Sequence, residues 1–148
     1  MPTIEKTART DTGLASALRL SVATLSRRLR AERDPENELS VGQLCVLAVL
    51  FREGDSTIGQ LAAHERVQPP SMTRTVTHLE TDGYVVRRPH ETDGRQVVVS
   101  LAPKGEATLL ADRRRRDAWL AQRLRELTPE ERSVLRQAAP ILEKLGRS

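Results

Sequence analysis

A chain that otherwise reads almost wholly as helix carries one stretch that cannot be helix: RRPHETDGRQVVVSL, residues 87–101. Asp93-Gly94 is a turn signal, and the β-branched run Val97, Val98, Val99 follows it at once. The segment predicts two strands, Tyr84 to Arg88 and Gln96 to Leu101, with Val97, Val99 and Leu101 on one face. Their connection, roughly residues 89–95, is longer than the two-residue loop that only reverses a chain, so it protrudes. A hairpin bearing Arg87, Arg88, His90 and Arg95 costs ordering entropy and buries little surface, which asks for a use outside the core.

Three short helices precede it. SVGQLCVLAVLFREG opens on a capping-box pattern, Ser40 with Gln43, and stops at Gly54; TIGQLAAHERV repeats the box with Thr57 and Gln60. PPSMTRTVTHLETDG starts on prolines, which suit a first helical turn, and ends at Gly83. The flanking segments are longer. Leu14, Leu18, Val22, Leu25 and Leu29 make one apolar stripe before the break at Asp34-Pro35. Beyond Pro103 a long helix leads to Thr128-Pro129-Glu130-Glu131, a strong helix start, and a last stripe of Leu135, Ala138, Leu142 and Leu145 with a potential kink at Pro140. Residues 1–10 lack periodicity and are expected to fray.

Phe51, Tyr84 and Trp119 are the only aromatics in 148 residues, so the core must be built from Leu, Val and Ala. Such a core is modest, and a second copy of the chain would help to complete it. The net charge of +4 rests almost wholly on arginine, since Lys6, Lys104 and Lys144 are the only lysines. Arginine is the better reader of grooves and phosphates. No apolar run is long enough for a membrane span and no basic-then-apolar leader opens the chain, so a cytoplasmic location is expected. The lone Cys45 excludes an internal disulfide, and its apolar surroundings predict a packing role rather than a redox one.

On a helical wheel of residues 69–82, Met72, Val76 and Leu79 share a face that would pack on the preceding helix. Pro70, Ser71, Arg74, Thr77 and His78 lie opposite, with Thr73 at the edge. Those hydroxyls, the arginine and the imidazole suit base edges and phosphates in a major groove, although an ordinary solvated face would look similar. The basic hairpin favours the first reading: beside such a helix its loop can follow the phosphate backbone and place an arginine in the minor groove. Asp93 is then an orienting partner for Arg95 or Arg74.

Helix, tight turn, helix and basic hairpin in this order resemble the winged helix-turn-helix of the MarR family of bacterial transcriptional regulators. The resemblance runs from about Leu14 to Leu145 and is most specific at Leu79-Glu80, Gly83, Asp93-Gly94-Arg95 and Leu101-Ala102-Pro103-Lys104-Gly105. Gly94 stands where the family often has a basic residue, and Ala102 where a threonine usually caps the next helix. The implied fold is mainly α with a small β-hairpin: a winged DNA-binding lobe over residues 36–102 and a helical dimerisation lobe from 11–35 and 103–148. The implied function is that of a homodimeric regulator, a repressor, on a pseudo-palindromic duplex operator. The expected DNA contacts are Thr57, Ser71, Thr73, Arg74, Thr77, His78, Arg88, Asp93 and Arg95. Release by a small, anionic or aromatic effector is also implied.

Arg113 and Arg114, together with Asp117, interrupt an apolar stripe. They either bridge two lobes, with Arg113 and Asp117 as an i, i+4 pair, or line an anion-receptive crevice for that effector. His64, His78 and His90 are too scattered for a metal motif, no cofactor is called for, and no phosphate loop or nucleophile elbow suggests an enzyme. The competing reading is a helical dimeric adaptor that has lost DNA contact. Basic groups at both groove positions, Arg74 and Arg95, argue against it.

Overall fold

The computed structural model describes residues 3–148. Its elements are α1 (Ile4–Thr7), α2 (Asp11–Ala31), α3 (Val41–Glu53), β1 (Ser56–Thr57), α4 (Ile58–Glu65), α5 (Pro69–Thr81), β2 (Val85–Pro89), β3 (Val97–Leu101), α6 (Pro103–Arg125) and α7 (Pro129–Gly146). They form two compact units, residues 34–114 and a second made of 1–33 with 115–148. Of the segment 1–10, expected to fray, residues 1 and 2 lie outside the described residues, while Ile4–Thr7 make one helical turn.

The capping signals of residues 40–60 act as their spacing implies. Ser40 and Thr57 each accept the backbone N–H three residues on, and Gln43 and Gln60 each return a side-chain acceptor to the cap N–H. Each exchange satisfies two donors that a helix start otherwise leaves unpaired. α4 ends on Arg66 in the left-handed region, φ 53° and ψ 43°, where the N–H groups of Arg66 and Val67 fold back on Ala62 and Ala63. That turn aims the chain into α5. At the end of α5, Gly83 takes φ 82°, which a side chain would resist, and Lys104 closes the corner by donating to the Asp82 carbonyl at 2.6 Å.

The core of this unit joins Leu44, Leu47 and Leu50 of α3 to Leu61 of α4, to Met72, Val76 and Leu79 of α5, and to Val85 and Val99 of the sheet. Each large apolar side chain buried here contributes about 1.5–3 kcal/mol. The sheet has three strands rather than the expected two, in the order β1-β3-β2, all antiparallel. β1 pairs Ser56 with Val99 and Thr57 with Val98; at two residues it is too short to show an alternation in sequence. β2 pairs Val85 with Leu101 and Arg87 with Val99.

The winged unit also extends further along α6 than the boundary at 102 expected from sequence, to Arg114. Leu109 enters its core, and buried Asp112 accepts from the Asn37 amide at 3.4 Å while the Asn37 oxygen accepts the Leu39 N–H. In the other unit, α7 begins on the Thr128–Glu131 capping box and continues helically through Pro140. That unit buries little: Ala17 is the one buried apolar residue of α2, and none is buried on α7.

Gly105 is where α6 meets the hairpin. A Cβ there would collide with the Tyr84 carbonyl oxygen, which already accepts the Ala102 N–H, and would stand 2.9 Å from Leu101 Cδ1. Backbone on one side cannot give way as a flexible side chain can. Gly105→Ala is therefore expected to destabilise the winged unit by about 1–3 kcal/mol, read from denaturant unfolding; unchanged stability would contradict this packing.

Candidate nucleic-acid interface

α5 is oriented by what it buries. With Met72, Val76 and Leu79 sealed in the core, Thr73, Arg74, Thr77 and His78 stand exposed and Ser71 is half-buried. Pro69 and Pro70 open the helix without N–H donors of their own, and the first acid on it is Glu80. The free face is thus basic and hydroxyl-rich along three turns.

Two recesses flank this ridge. One, of about 400 Å³, lies toward the hairpin and is lined by Thr57, Thr73, Arg87 and Arg95 among others. The second, of about 560 Å³, lies toward the start of α3 and is lined by Ser40, Gln43, Ser71, Arg74, Thr75 and His78. The structure therefore gathers six expected contacts in two groups: Thr57, Thr73 and Arg95 on one side, Ser71, Arg74 and His78 on the other. Thr77 is exposed on the same helix face.

Arg88 and Asp93 are placed otherwise. Residues of β2 alternate between faces, and Val85 is buried, so Arg87 shares the inner face and lines the recess whereas Arg88 lies on the outer face. There Arg88 donates to Ser100 Oγ at 2.6 Å and pairs with Asp55 at 3.0 Å. The expected wing contact is thus directed across the outer sheet face, away from the recess. Asp93 orients backbone rather than a guanidinium: its carboxylate accepts the Arg95 N–H at 3.1 Å, and its carbonyl accepts from Gln96. His90, another charge candidate of the hairpin, holds the loop from inside, its Nδ1 accepting the N–H groups of Thr92 and Asp93 at 3.2 and 3.1 Å. Together these bonds set the base of the turn that carries Arg95.

Arg87, rather than its neighbour Arg88, lines the recess, a choice that strand spacing alone does not make. It makes a two-pronged ion pair with Glu80 of α5, Nε to Oε2 at 3.1 Å and Nη2 to Oε1 at 3.0 Å, with both side chains about one-third exposed. This fork ties β2 to the last turn of α5 and sets the hairpin against the helix. The hydrogen bonds from Arg87, aided by its charge, hold the Glu80 carboxyl below its ordinary range and outweigh the opposing effect of desolvation. Ser40 and Gln43, whose spacing marks them only as a helix cap, also line the α3-side recess.

The Arg113 guanidinium lies 5.2 Å from the centre of the Phe51 ring rather than on Asp117, and Arg114 and Asp117 are exposed. Cys45 is only half-buried, because α3 turns Leu44, Val46 and Leu47 inward on either side of it. Among the described residues no group of three His, Cys, Asp or Glu side chains could hold a metal, and no helix is long and apolar enough to cross a membrane.

The Glu80–Arg87 fork has a pH signature. Because the folded carboxyl is held below its ordinary value of 4.5, the stabilisation is complete above that value and is lost as pH falls through the lower folded one. Glu80→Gln should lower the thermal midpoint at neutral pH, and the gap to wild type should close on acidification. A gap that is independent of pH would show that the ion pair is not what joins β2 to α5.

Comparison with known proteins agrees with this architecture. The MarR family model matches residues 39–97, from the lead into α3 to the first residue of β3. An HTH-type transcriptional regulator of Mycobacterium bovis is 48% identical over 132 residues, covering 89% of this chain and 92% of its own. A crystal structure of a putative transcriptional regulator from Pseudomonas aeruginosa superposes with a TM-score of 0.78 at 33% identity, covering 99% of each chain. A MarR family protein from Bacillus stearothermophilus gives a TM-score of 0.81 at 27% identity, over 95% of this chain and 97% of its own. The chain belongs to the MarR family: it is a winged helix-turn-helix, DNA-binding transcriptional regulator and not an enzyme.

Proposed function

We propose that this regulator acts as a homodimer on a pseudo-palindromic duplex operator and represses transcription from it. One observation carries the DNA-reading part: the exposed basic ridge of α5 is flanked on one side by Arg74 and His78 and on the other by Thr57, Arg87 and Arg95. In this reading α5 enters the major groove, where Arg74 and the hydroxyl-bearing face meet base edges, and Arg95 reaches the flanking backbone or minor groove. Arg87, held by Glu80, positions the hairpin and supplies less free charge. Arg88 takes no direct part.

Dimerisation is inferred from uncovered apolar surface. α2 leaves Leu14, Leu20, Val22 and Leu25 exposed, and α7 leaves Val134, Leu135, Ile141, Leu142 and Leu145 exposed. Stripes of this length on two helices need a partner, and a second copy supplies a self-complementary one by twofold symmetry. Two winged units related by that axis would read two half-sites. Release by a small anionic or aromatic effector belongs to the same reading, with the exposed Arg114 and the ring-stacked Arg113 as the cationic groups it would meet.

Binding to a duplex selected from a random pool, titrated at several salt concentrations, tests the DNA reading. Arg74→Ala should cost about 1–3 kcal/mol at the selected site and relax base preference. Arg95→Ala should weaken selected and random DNA alike and reduce the salt slope by about one for each phosphate that is no longer neutralised. Asp93→Ala should weaken binding despite the gain in net positive charge, by freeing the Arg95 backbone. Arg88→Ala should leave the slope unchanged. Failure to select any duplex would leave the protein-interaction adaptor as the better description.

Folding should depend on protomer concentration, with sedimentation equilibrium showing a dimer at micromolar concentration. A stable folded monomer in that range would remove the twofold reading and with it the pseudo-palindrome.

A further inference from the structure

Four threonines lie on α5, and each spends its hydroxyl proton on the helix itself. Thr73 Oγ1 donates to the Pro69 carbonyl at 3.0 Å, Thr75 to Ser71 at 3.1 Å, Thr77 to Thr73 at 2.8 Å and Thr81 to Thr77 at 2.9 Å. A carbonyl oxygen only accepts, so the direction of these bonds is not in question. Thr73 and Thr77 are exposed and one turn apart, in the row of the free face beside Arg74 and His78.

That commitment limits what the two side chains can offer a base. Guanine O6 and N7, adenine N7 and thymine O4 are acceptors and need a donor. A hydroxyl already bonded to the preceding turn has no second proton, and turning it outward would break the backbone bond. The branched β-carbon leaves a γ-methyl as the other arm of each side chain, locked in place by the same bond. The major-groove feature that matches a methyl is the C5-methyl of thymine.

We propose, on the DNA-binding reading above, that Thr73 and Thr77 select thymine through their γ-methyl groups, making each half-site thymine-specific where α5 lies in the groove. The neighbouring Arg74 and His78 supply the donors that the threonines withhold. Base choice on this helix is thus divided between cationic donors and a methyl strip.

Deoxyuridine in place of thymine removes the C5-methyl alone and tests this directly. Each thymine of the selected duplex is replaced singly, and binding is measured for wild type, Thr73→Ser, Thr77→Ser, Thr73→Val and Thr77→Val. Wild type should lose about fourfold in affinity at one or two positions per half-site, the transfer free energy of one buried methyl group. The serine variant keeps the hydroxyl and its backbone bond, and should bind thymine and deoxyuridine equally at its position. The valine variant keeps the methyl and should retain the preference. The opposite pattern, loss of binding with valine and none with serine, would show that the hydroxyl reads the base and would overturn the proposal. So would selective binding in which no deoxyuridine matters, which leaves the DNA reading intact; absence of any selected duplex removes both.

Discussion

Burial of Met72, Val76 and Leu79 sets the rotation of α5 about its own axis, and nearly everything the protein presents to a partner follows from that rotation. These positions recur at helical spacing, so once they are sealed against α3, α4 and the sheet, Thr73, Arg74, Thr77 and His78 have only the outer face left. A polar group at any of the three positions would have to be desolvated to keep the same orientation. The apolar seam therefore acts as the alignment device for a polar surface it does not touch. The threonine bonds to the helix carbonyls add a second constraint by holding side-chain rotamers as well as helix orientation.

The hairpin is held to that helix by the buried Val85 and Val99, which share its core, and by a charge pair at its rim. Its loop is exposed, and the fork between Arg87 and Glu80 joins it to α5 at one point, with β1 supporting β3 from the other edge. An arginine suits this task because its planar donors meet a carboxylate in two places and fix an angle as well as a distance. Three acids near the hairpin, which look misplaced on a surface meant for a polyanion, are occupied. Glu80 takes Arg87, Asp55 takes Arg88, and Asp93 caps the backbone of Arg95. Arg95 stands exposed beside them and lines the recess.

The second unit obeys the opposite logic. Its helices are amphipathic and well capped, yet they bury almost nothing among themselves, and the leucines of α2 and α7 face outward. Helix propensity and capping are local and need no core, so such helices form with their apolar stripes still uncovered. An association that covers those stripes would join two DNA-reading units through the same surface that stabilises the fold.

Features governed by local spacing were legible in the residues: the three capping boxes, the helix stop at Gly83, the buried face of α5 and the existence of a hairpin with an Asp93-Gly94 turn. Each depends on groups within about one helical turn or one strand of one another, where sequence distance and spatial distance coincide. What needed the tertiary structure was every choice between equivalent local options. Val85 and Val86 are both valine, so alternation along β2 has two phases, and only the pairing of Arg87 with Val99 over the core put Arg87 inward and Arg88 outward. β1 is too short to announce itself and exists because β3 offers it an edge. Asp93 could have reached a guanidinium by chemistry alone, and the geometry of its loop gave it a backbone N–H instead. Short-range patterns decide which elements form and which faces are apolar, whereas which charge meets which partner is set by contacts between residues far apart in the chain.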